Sequence, residues 1–311
     1  MPQMNNAQAR VVDPVLTSAA QGYKNNEFVG AVLFPKVPVT QRGGKILTFG
    51  KEDFMLYATG RSPGQNTKRV TFGYQGAPYA LESHSLEGLL PIETLQEANA
   101  VPGIDMSMVT INGTQNIIAL RLEKAQADAA RNPSNYGAGN KVTLSGSSQW
   151  NDPNSDPIAA IEAGKEAVRA KIGKRPNVAV IGATVFSALK VHPKVLDRLK
   201  YTGRDVATPE LLASLFGLSQ VKVGDAVFAT DDGAFNDVWG KDVVLAYVEV
   251  GTVAEQGKPS YGYTYQLGGY PIVEVPYFER NAKSWVFPVT DEVAPVVAGS
   301  AAGYLIQNAV A

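Results

Sequence analysis

The stretch TFGKEDFMLYATGRSPGQNTKRVTFGYQG, residues 48 to 76, constrains the fold more than any other part of the chain. Two runs rich in aromatic and β-branched residues, Thr48 to Tyr57 and Arg69 to Tyr74, flank a polar tip from Ala58 to Lys68 that contains Gly60, Pro63, Gly64 and Asn66. That pattern predicts a long β-hairpin. In its returning strand Val70, Phe72 and Tyr74 share one face and Arg69, Thr71 and Gly73 the other. Gly76 and Pro78 interrupt the strand, and Tyr79 and Leu81 resume on the opposite parity, which predicts a bulge or bend. A two-stranded ribbon is marginally stable alone. Phe54, Leu56, Phe72 and Tyr74 therefore need some other surface to cover them.

The segments around the ribbon set what that surface could be. The first 35 residues read as an arm, ending in FVGAVLFPKVPV, where Pro35 and Pro38 impose an extended path. Beyond the ribbon, Asp105 is placed to cap a helix that runs to Asn132 and stops before Pro133. Ile111, Ile118, Leu122, Ala125 and Ala129 form its apolar stripe. At about 1.5 Å per residue it is a spine roughly 40 Å long. Asn112, Gly113 and Thr114 weaken its first half and allow a kink or a later start.

A Gly- and Asn-rich stretch follows, with one short strand in KVTLSG. Asp156 and Pro157 then open a second helix that buries Ile158, Ile161, Val168 and Ile172 and ends at Gly173. NVAVIG reads as a buried strand, followed by short helices at Ala183 to Val191, Lys194 to Lys200 and Thr208 to Phe216. QVKVGDAVFAT, DVVLAYVEV, YGYTYQL, IVEVPYF and SWVFPV read as strands. The result is an α+β chain with its helices clustered in the middle, roughly two domains by length.

Composition excludes several classes of function. Cysteine is absent, which rules out disulfide staples and thiolate chemistry. No apolar run is long enough to span a membrane, and the amino terminus lacks a signal-peptide pattern, so a soluble protein without membrane association is expected. The formal net charge of -1 does not suit a dedicated nucleic-acid binder. Charged residues make up only 18% of the chain, which leaves a large core or much surface that becomes covered.

No catalytic constellation emerges, and no cofactor or metal is expected. The two histidines, His84 and His192, stand 108 residues apart, and His192 before Pro193 suits a surface turn. GTVAEQGKP has five residues between its glycines, one more than a phosphate loop allows, and Pro259 where Ser or Thr would bind magnesium. The carboxylates of SDP and TDDGAFND do not match a calcium loop and fit ordinary Asp/Gly turns.

The charge map is more informative. The hairpin tip carries Arg61, Lys68 and Arg69 with no acid, whereas Val70 to Leu120 contains no Lys or Arg but holds Glu82, Glu87, Glu93, Glu97 and Asp105. Two readings stand: two separate solvated surfaces, or a basic tip on one copy that meets the acidic segment of another and sets the register of an assembly.

The order of these parts resembles the major capsid protein of tailed bacteriophages, of the Hong Kong 97 type. FGKEDFMLYATGRSPGQNTKRVTFGY is similar to the family's extension loop and LRLEKAQADAA to its spine helix. DPIAAIEAGKEAVRAKIGKRPNVAVIGATVFSALKVHPKVLDRLKY, with GDAVF and DVWGKDVVLAYV, is similar to its axial domain. The resemblance spans residues 10 to 290 or so. It implies an arm at 1–38, an extension loop at 39–88, a peripheral domain with the spine helix at 89–154, an axial domain at 155–250, further peripheral strands at 251–290, and a segment 291–311 that returns to the axial domain.

The same resemblance implies a structural protein, not an enzyme, that assembles through hexamers and pentamers into an icosahedral shell around double-stranded DNA without sequence-specific binding. It also implies a portal protein, a separate scaffolding protein and a decoration or cement protein as partners, with assembly in the bacterial host cytoplasm and the virion as destination. Phe54, Leu56, Phe72 and Tyr74 are then expected to lie against a neighbouring subunit. An encapsulin-like storage shell and a soluble α+β enzyme are the alternatives.

Overall fold

Hydrogen bonds between neighbours in sequence place the helices, and pairing across the length of the chain places the sheets. The computed structural model describes residues 16–17, 28–45, 59–60, 69, 78–99, 105–199, 207–249 and 260–311. Phe54, Leu56, Arg61, Lys68, Phe72 and Tyr74, and most of the expected arm, lie outside the described residues. After a single helical turn at Gly30–Val32, strands β1 (Lys36–Val39), β2 (Gly43–Lys45), β3 (Pro78–Ala80) and β4 (Glu82–Pro91) lead into helices α1 (Ile92–Asn99) and α2 (Met106–Arg131). Next come β5 (Lys141–Thr143), α3 (Pro157–Ile172), β6 (Val178–Gly182), α4 (Ala183–Val191), α5 (Pro193–Leu199) and α6 (Pro209–Phe216). The chain finishes with β7 (Gln220–Gly224), β8 (Val227–Ala229), β9 (Phe235–Asp237), β10 (Val243–Ala246), β11 (Gly262–Leu267), β12 (Ile272–Val273), β13 (Tyr277–Glu279), β14 (Ser284–Val297) and β15 (Gly303–Gln307).

The caps are those the sequence predicts. The Asp105 carboxylate accepts from Ser107 N and Met108 N, Asp156 accepts from Ala159 N, and Thr208 accepts from Leu211 N. α3 ends on Gly173 at φ 67°, a left-handed conformation that costs glycine little. α2 begins at Met106 and stays helical through Asn112, Gly113 and Thr114.

In the six-stranded sheet β14 is the central strand. β4 pairs with it antiparallel from Glu82 opposite Val293 to Pro91 opposite Ser284. β11, β12 and β13 follow one another along its other side, and β1 lies parallel to β11. The first half of α2 crosses this sheet. A Cβ at Gly88 would sit 2.6 Å from Thr110 Cγ2, so a glycine in β4 is what lets strand and helix touch. Leu90, Ile111, Val273, Phe287 and Val289 are buried there.

The five-stranded sheet runs β5-β15-β10-β6-β7 and belongs to the larger core, with α3, α4 and α6 contributing Ile161, Val168, Val185, Leu189, Leu212 and Phe216. β15 lies between β10 and β5, so the last residues of the chain supply an interior strand.

Three features differ from the sequence-based expectations. First, α2 buries Thr114, Gln115, Glu123, Gln126, Ala127 and Ala130 along with Ile111, whereas Ile118, Leu122, Ala125 and Ala129 are only half-buried. Glu123 turns inward because the described part of the arm offers it backbone amides, Gln126 because Thr264 of β11 accepts from it, and Thr114 because it bonds back to Thr110 O.

Second, β4 runs as a regular strand through Pro91, beyond the extension-loop end expected at residue 88, and β14 continues through Asp291 and Glu292 to Val297, past the expected boundary at residue 290. The two acids fit inside a strand because Gln266 Nε2 donates to Asp291 (2.8 Å) and Arg42 pairs with Glu292 (2.6 Å).

Third, His192 does not occupy a surface turn but is only 2% exposed. Its Nδ1 accepts from Lys194 N at 3.3 Å, and its Nε2 faces Ser155 Oγ at 3.1 Å, so both ring nitrogens are satisfied inside the fold.

Candidate inter-subunit interface

The ribbon begins as an antiparallel pair of strands. Gly43, Gly44 and Lys45 face Ala80, Tyr79 and Pro78, so these strands bring the two ends of the 46–77 segment together. This base is fixed to the chain's own six-stranded sheet. Tyr79 stacks on Tyr265 with ring centroids 4.5 Å apart, and Leu81 N donates to Arg42 O.

Arg42 makes a two-pronged contact with the buried Glu292, Nε to Oε2 at 2.6 Å and Nη2 to Oε1 at 2.8 Å, and Tyr270 Oη donates to the same carboxylate. The hydrogen bond and charge of Glu292 hold the guanidinium further above its usual value. Arg42→Ala is expected to lower stability by about 1–2 kcal/mol, because Glu292 stays buried while half of the pair faces solvent. Urea denaturation reads this directly, and an unchanged midpoint would remove the pair from the account of how the ribbon is anchored.

A second joint ties the described part of the arm to α2 and to the segment after β9. Glu123, buried on α2, accepts from Val29 N (3.0 Å), Gly30 N (2.9 Å) and Trp239 Nε1 (2.7 Å). Burial pushes its carboxyl above the ordinary value, with the indole and the two amides pulling the other way. A Cβ on Gly30 would meet Gln126 Oε1 at 2.1 Å, so only glycine lets the arm come this close. Gln126 in turn donates to Thr264 Oγ1, whose hydroxyl donates to Phe34 O. One turn further on, Arg131 reaches Asp242 Oδ2 (2.7 Å) and Val238 O (3.1 Å). The spine helix thereby holds the arm, both sheets and the end of the β8–β9 hairpin through side-chain polar atoms.

The acidic segment divides between two elements. Glu82 and Glu87 lie on β4, Glu93 and Glu97 on α1, and all four are exposed. Glu87 accepts from Tyr277 Oη at 3.3 Å, and Glu82 approaches only His84, at 3.9 Å. No Lys or Arg among the described residues pairs with any of the four. Leu89, 54% exposed, shares one face of the sheet with Glu87 and with Tyr277, both Leu89 and Tyr277 standing opposite Val286, while Glu82 lies on the other face of β4. The strip combines uncompensated carboxylates with open apolar surface. Of the three basic residues Arg61, Lys68 and Arg69, only Arg69 is described, and it is exposed.

Sequence reasoning missed Glu123, Trp239, Arg42 and Glu292, whose partners lie 22 to 250 residues away. TDDGAFND, read as an Asp/Gly turn, is a hairpin that leaves Phe235 open to solvent. Among the described residues no group of three or more His, Asp or Glu side chains could hold a metal ion.

Residues 134–289 match the family model described as phage major capsid protein E. The major capsid protein of Burkholderia phage BcepMu is 39% identical over 306 residues, covering 97% of this chain and 98% of that protein. The crystal structure of a phage-related protein from Bordetella bronchiseptica RB50 is 47% identical, covers 97% of this chain and 98% of its own, and superposes with a TM-score of 0.83. The mature capsid of bacteriophage PhiM1 shares the fold at 13% identity, with a TM-score of 0.53 and coverage of 92% and 88%.

Proposed function

Because the chain belongs to the phage major capsid protein family, it is a structural protein of the virion that assembles with copies of itself into a shell, and we propose that the ribbon and the acidic strip form the joint between neighbours. A full-length relative that is itself a phage coat protein favours this over an enzyme-storage compartment or a soluble enzyme.

The observation that carries the joint is the acidic run: Glu82, Glu87, Glu93 and Glu97 are exposed with no basic partner among the described residues, and Glu87 shares a sheet face with the open Leu89 and Tyr277. A ribbon anchored at its base by Arg42 and Tyr79 could bring Phe54, Leu56, Phe72 and Tyr74 onto the apolar part of such a strip on a neighbour. Arg61, Lys68 and Arg69 would then meet the carboxylates. Contacts of this head-to-tail kind close into rings, here hexamers and pentamers, and rings into a shell.

In this scheme the six-stranded sheet with α1 and α2 is the peripheral domain and the five-stranded sheet with α3 to α6 the axial domain. The partners are a portal protein, a separate scaffolding protein, a cement or decoration protein, and double-stranded DNA held without sequence readout, with assembly in the bacterial cytoplasm. The net charge of -1 supports a container that encloses DNA without gripping it.

The test is the double variant Arg61→Glu with Lys68→Glu. Electron microscopy and sedimentation should find assembled particles reduced about tenfold or more, because two attractive contacts per joint become repulsive. The melting temperature of the unassembled chain should stay unchanged. Particles in normal yield from this variant would overturn the basic-tip joint.

A further inference from the structure

We propose that the β8–β9 hairpin of one copy docks on the corner between α4 and α5 of the next, a contact that rests on the shell reading and adds a second joint to it.

The hairpin has two unlike faces. Its register sets Val227 opposite Asp237 and Ala229 opposite Phe235, which places Val227, Ala229 and Phe235 together. On the reverse face Phe228 is half-buried, with the Lys124 ammonium of α2 5.1 Å from its ring centroid. The hairpin is thus held from behind while its apolar front stays open, with Phe235 76% exposed. Its tip is already ordered: Thr230 N and Oγ1 both donate to Ala234 O, and Gly233 N donates to Thr230 O. A preorganised aromatic loses little entropy on docking, and covering it recovers hydrophobic stabilisation that the isolated chain forgoes.

Charge identifies the partner surface. Between Gly224 and Gly240 the chain carries Asp225, Asp231, Asp232 and Asp237 and no Lys or Arg, and none of the four forms an ion pair among the described residues. The α4–α5 corner is the counterpart. Val191 there is 72% exposed, flanked by Lys190 on α4 and by Lys194 and Arg198 on α5. Lys194 is engaged with Asp156 at 3.1 Å, but Lys190 and Arg198 have no carboxylate partner among the described residues. Beside them is an open groove of about 360 Å³ lined by Asp156, Ile158, Ala159, Lys194, Asp197 and Arg198. An acidic hairpin with an apolar front and a corner that combines exposed Val191 with Lys190, Arg198 and a groove therefore occur on the same chain. A second copy supplies both halves, and because the two surfaces differ, the contact propagates around a ring.

Charge exchange tests this contact separately from the shell reading. In the wild-type chain, particles establish the shell; if none form with any scaffolding partner, it is the shell reading that fails. Asp231→Lys with Asp232→Lys, and separately Lys190→Glu with Arg198→Glu, should each lower particle yield about tenfold, while all four changes together restore it. If each pair assembles like wild type, or if the fourfold variant fails to recover, the contact is overturned even though wild-type shells form.

A second measurement does not depend on charge. The chain has no cysteine, so an equal mixture of Ala229→Cys and Val191→Cys chains can be treated with a short bis-maleimide in assembled particles. The expected product is a heterodimer joining the two variants; intact particles without it overturn the proposal.

Discussion

Trp239→Ala is expected to cost about 3–5 kcal/mol, among the largest losses a single substitution in this chain can produce. The indole is buried where the five-stranded sheet meets α2, close against Gly224, where an added Cβ would fall 2.2 Å from Trp239 Cδ1. Gly224 has no side chain to move into the space the indole leaves. The variant also removes one of the three donors to Glu123. Trp239→Phe keeps much of the volume and loses the donor, so it should cost about 1–2 kcal/mol. Urea denaturation of the unassembled chain separates the two, and a loss under about 1 kcal/mol for the alanine variant would show that the site collapses around the hole.

Glu123→Ala is expected to cost about 2–4 kcal/mol and to loosen the arm, because the amides of Val29 and Gly30 and the Trp239 indole lose their acceptor in a buried place. Limited proteolysis should cut the variant near residues 28 to 35 before the wild type; equal cleavage rates would mean that Leu33 and Phe34, both fully buried, hold the arm unaided.

Glu123→Gln adds a pH test. Burial raises the Glu123 carboxyl above its ordinary value of 4.5, so the acid form is favoured by folding. The stabilisation it brings is complete below that ordinary value and is lost as pH rises through the higher folded value. Wild-type stability measured against Glu123→Gln should therefore fall as pH rises above 4.5. A difference that grows with pH would show that the three donors outweigh burial.

The five-stranded sheet and the acidic strip show how the two levels of organisation divide. β6 was legible because VAVIG is apolar at every position between Asn177 and a helix start, as a strand covered on both faces must be. β15 of the same sheet was not, because GYLIQ becomes an interior strand only through β10 and β5. The acidic run from Glu82 to Glu97 was visible as a charge pattern, but its pairing with β14 more than 190 residues later was not. The hairpin base at Gly43–Lys45 and Pro78–Ala80 was implied by the alternation beyond it, whereas the Arg42–Glu292 contact that anchors it joins residues 250 apart.

The sequence by itself determined α2 to α6 and most of their ends, though not α1, together with the kind of sheet content and the order of parts that resembles a capsid protein. Asp105, Asp156, Thr208 and Gly173 act on amides and carbonyls within four residues, so their effect is contained in a short window of sequence. Only the tertiary structure decided that α2 would bury Glu123 and Gln126, that His192 would turn inward, and that Phe235 and Val191 would stay open. A polar side chain is stable inside only when its partners are delivered there, and an apolar one stays outside only when no neighbour covers it. Both conditions depend on residues far apart in sequence, which no local pattern encodes.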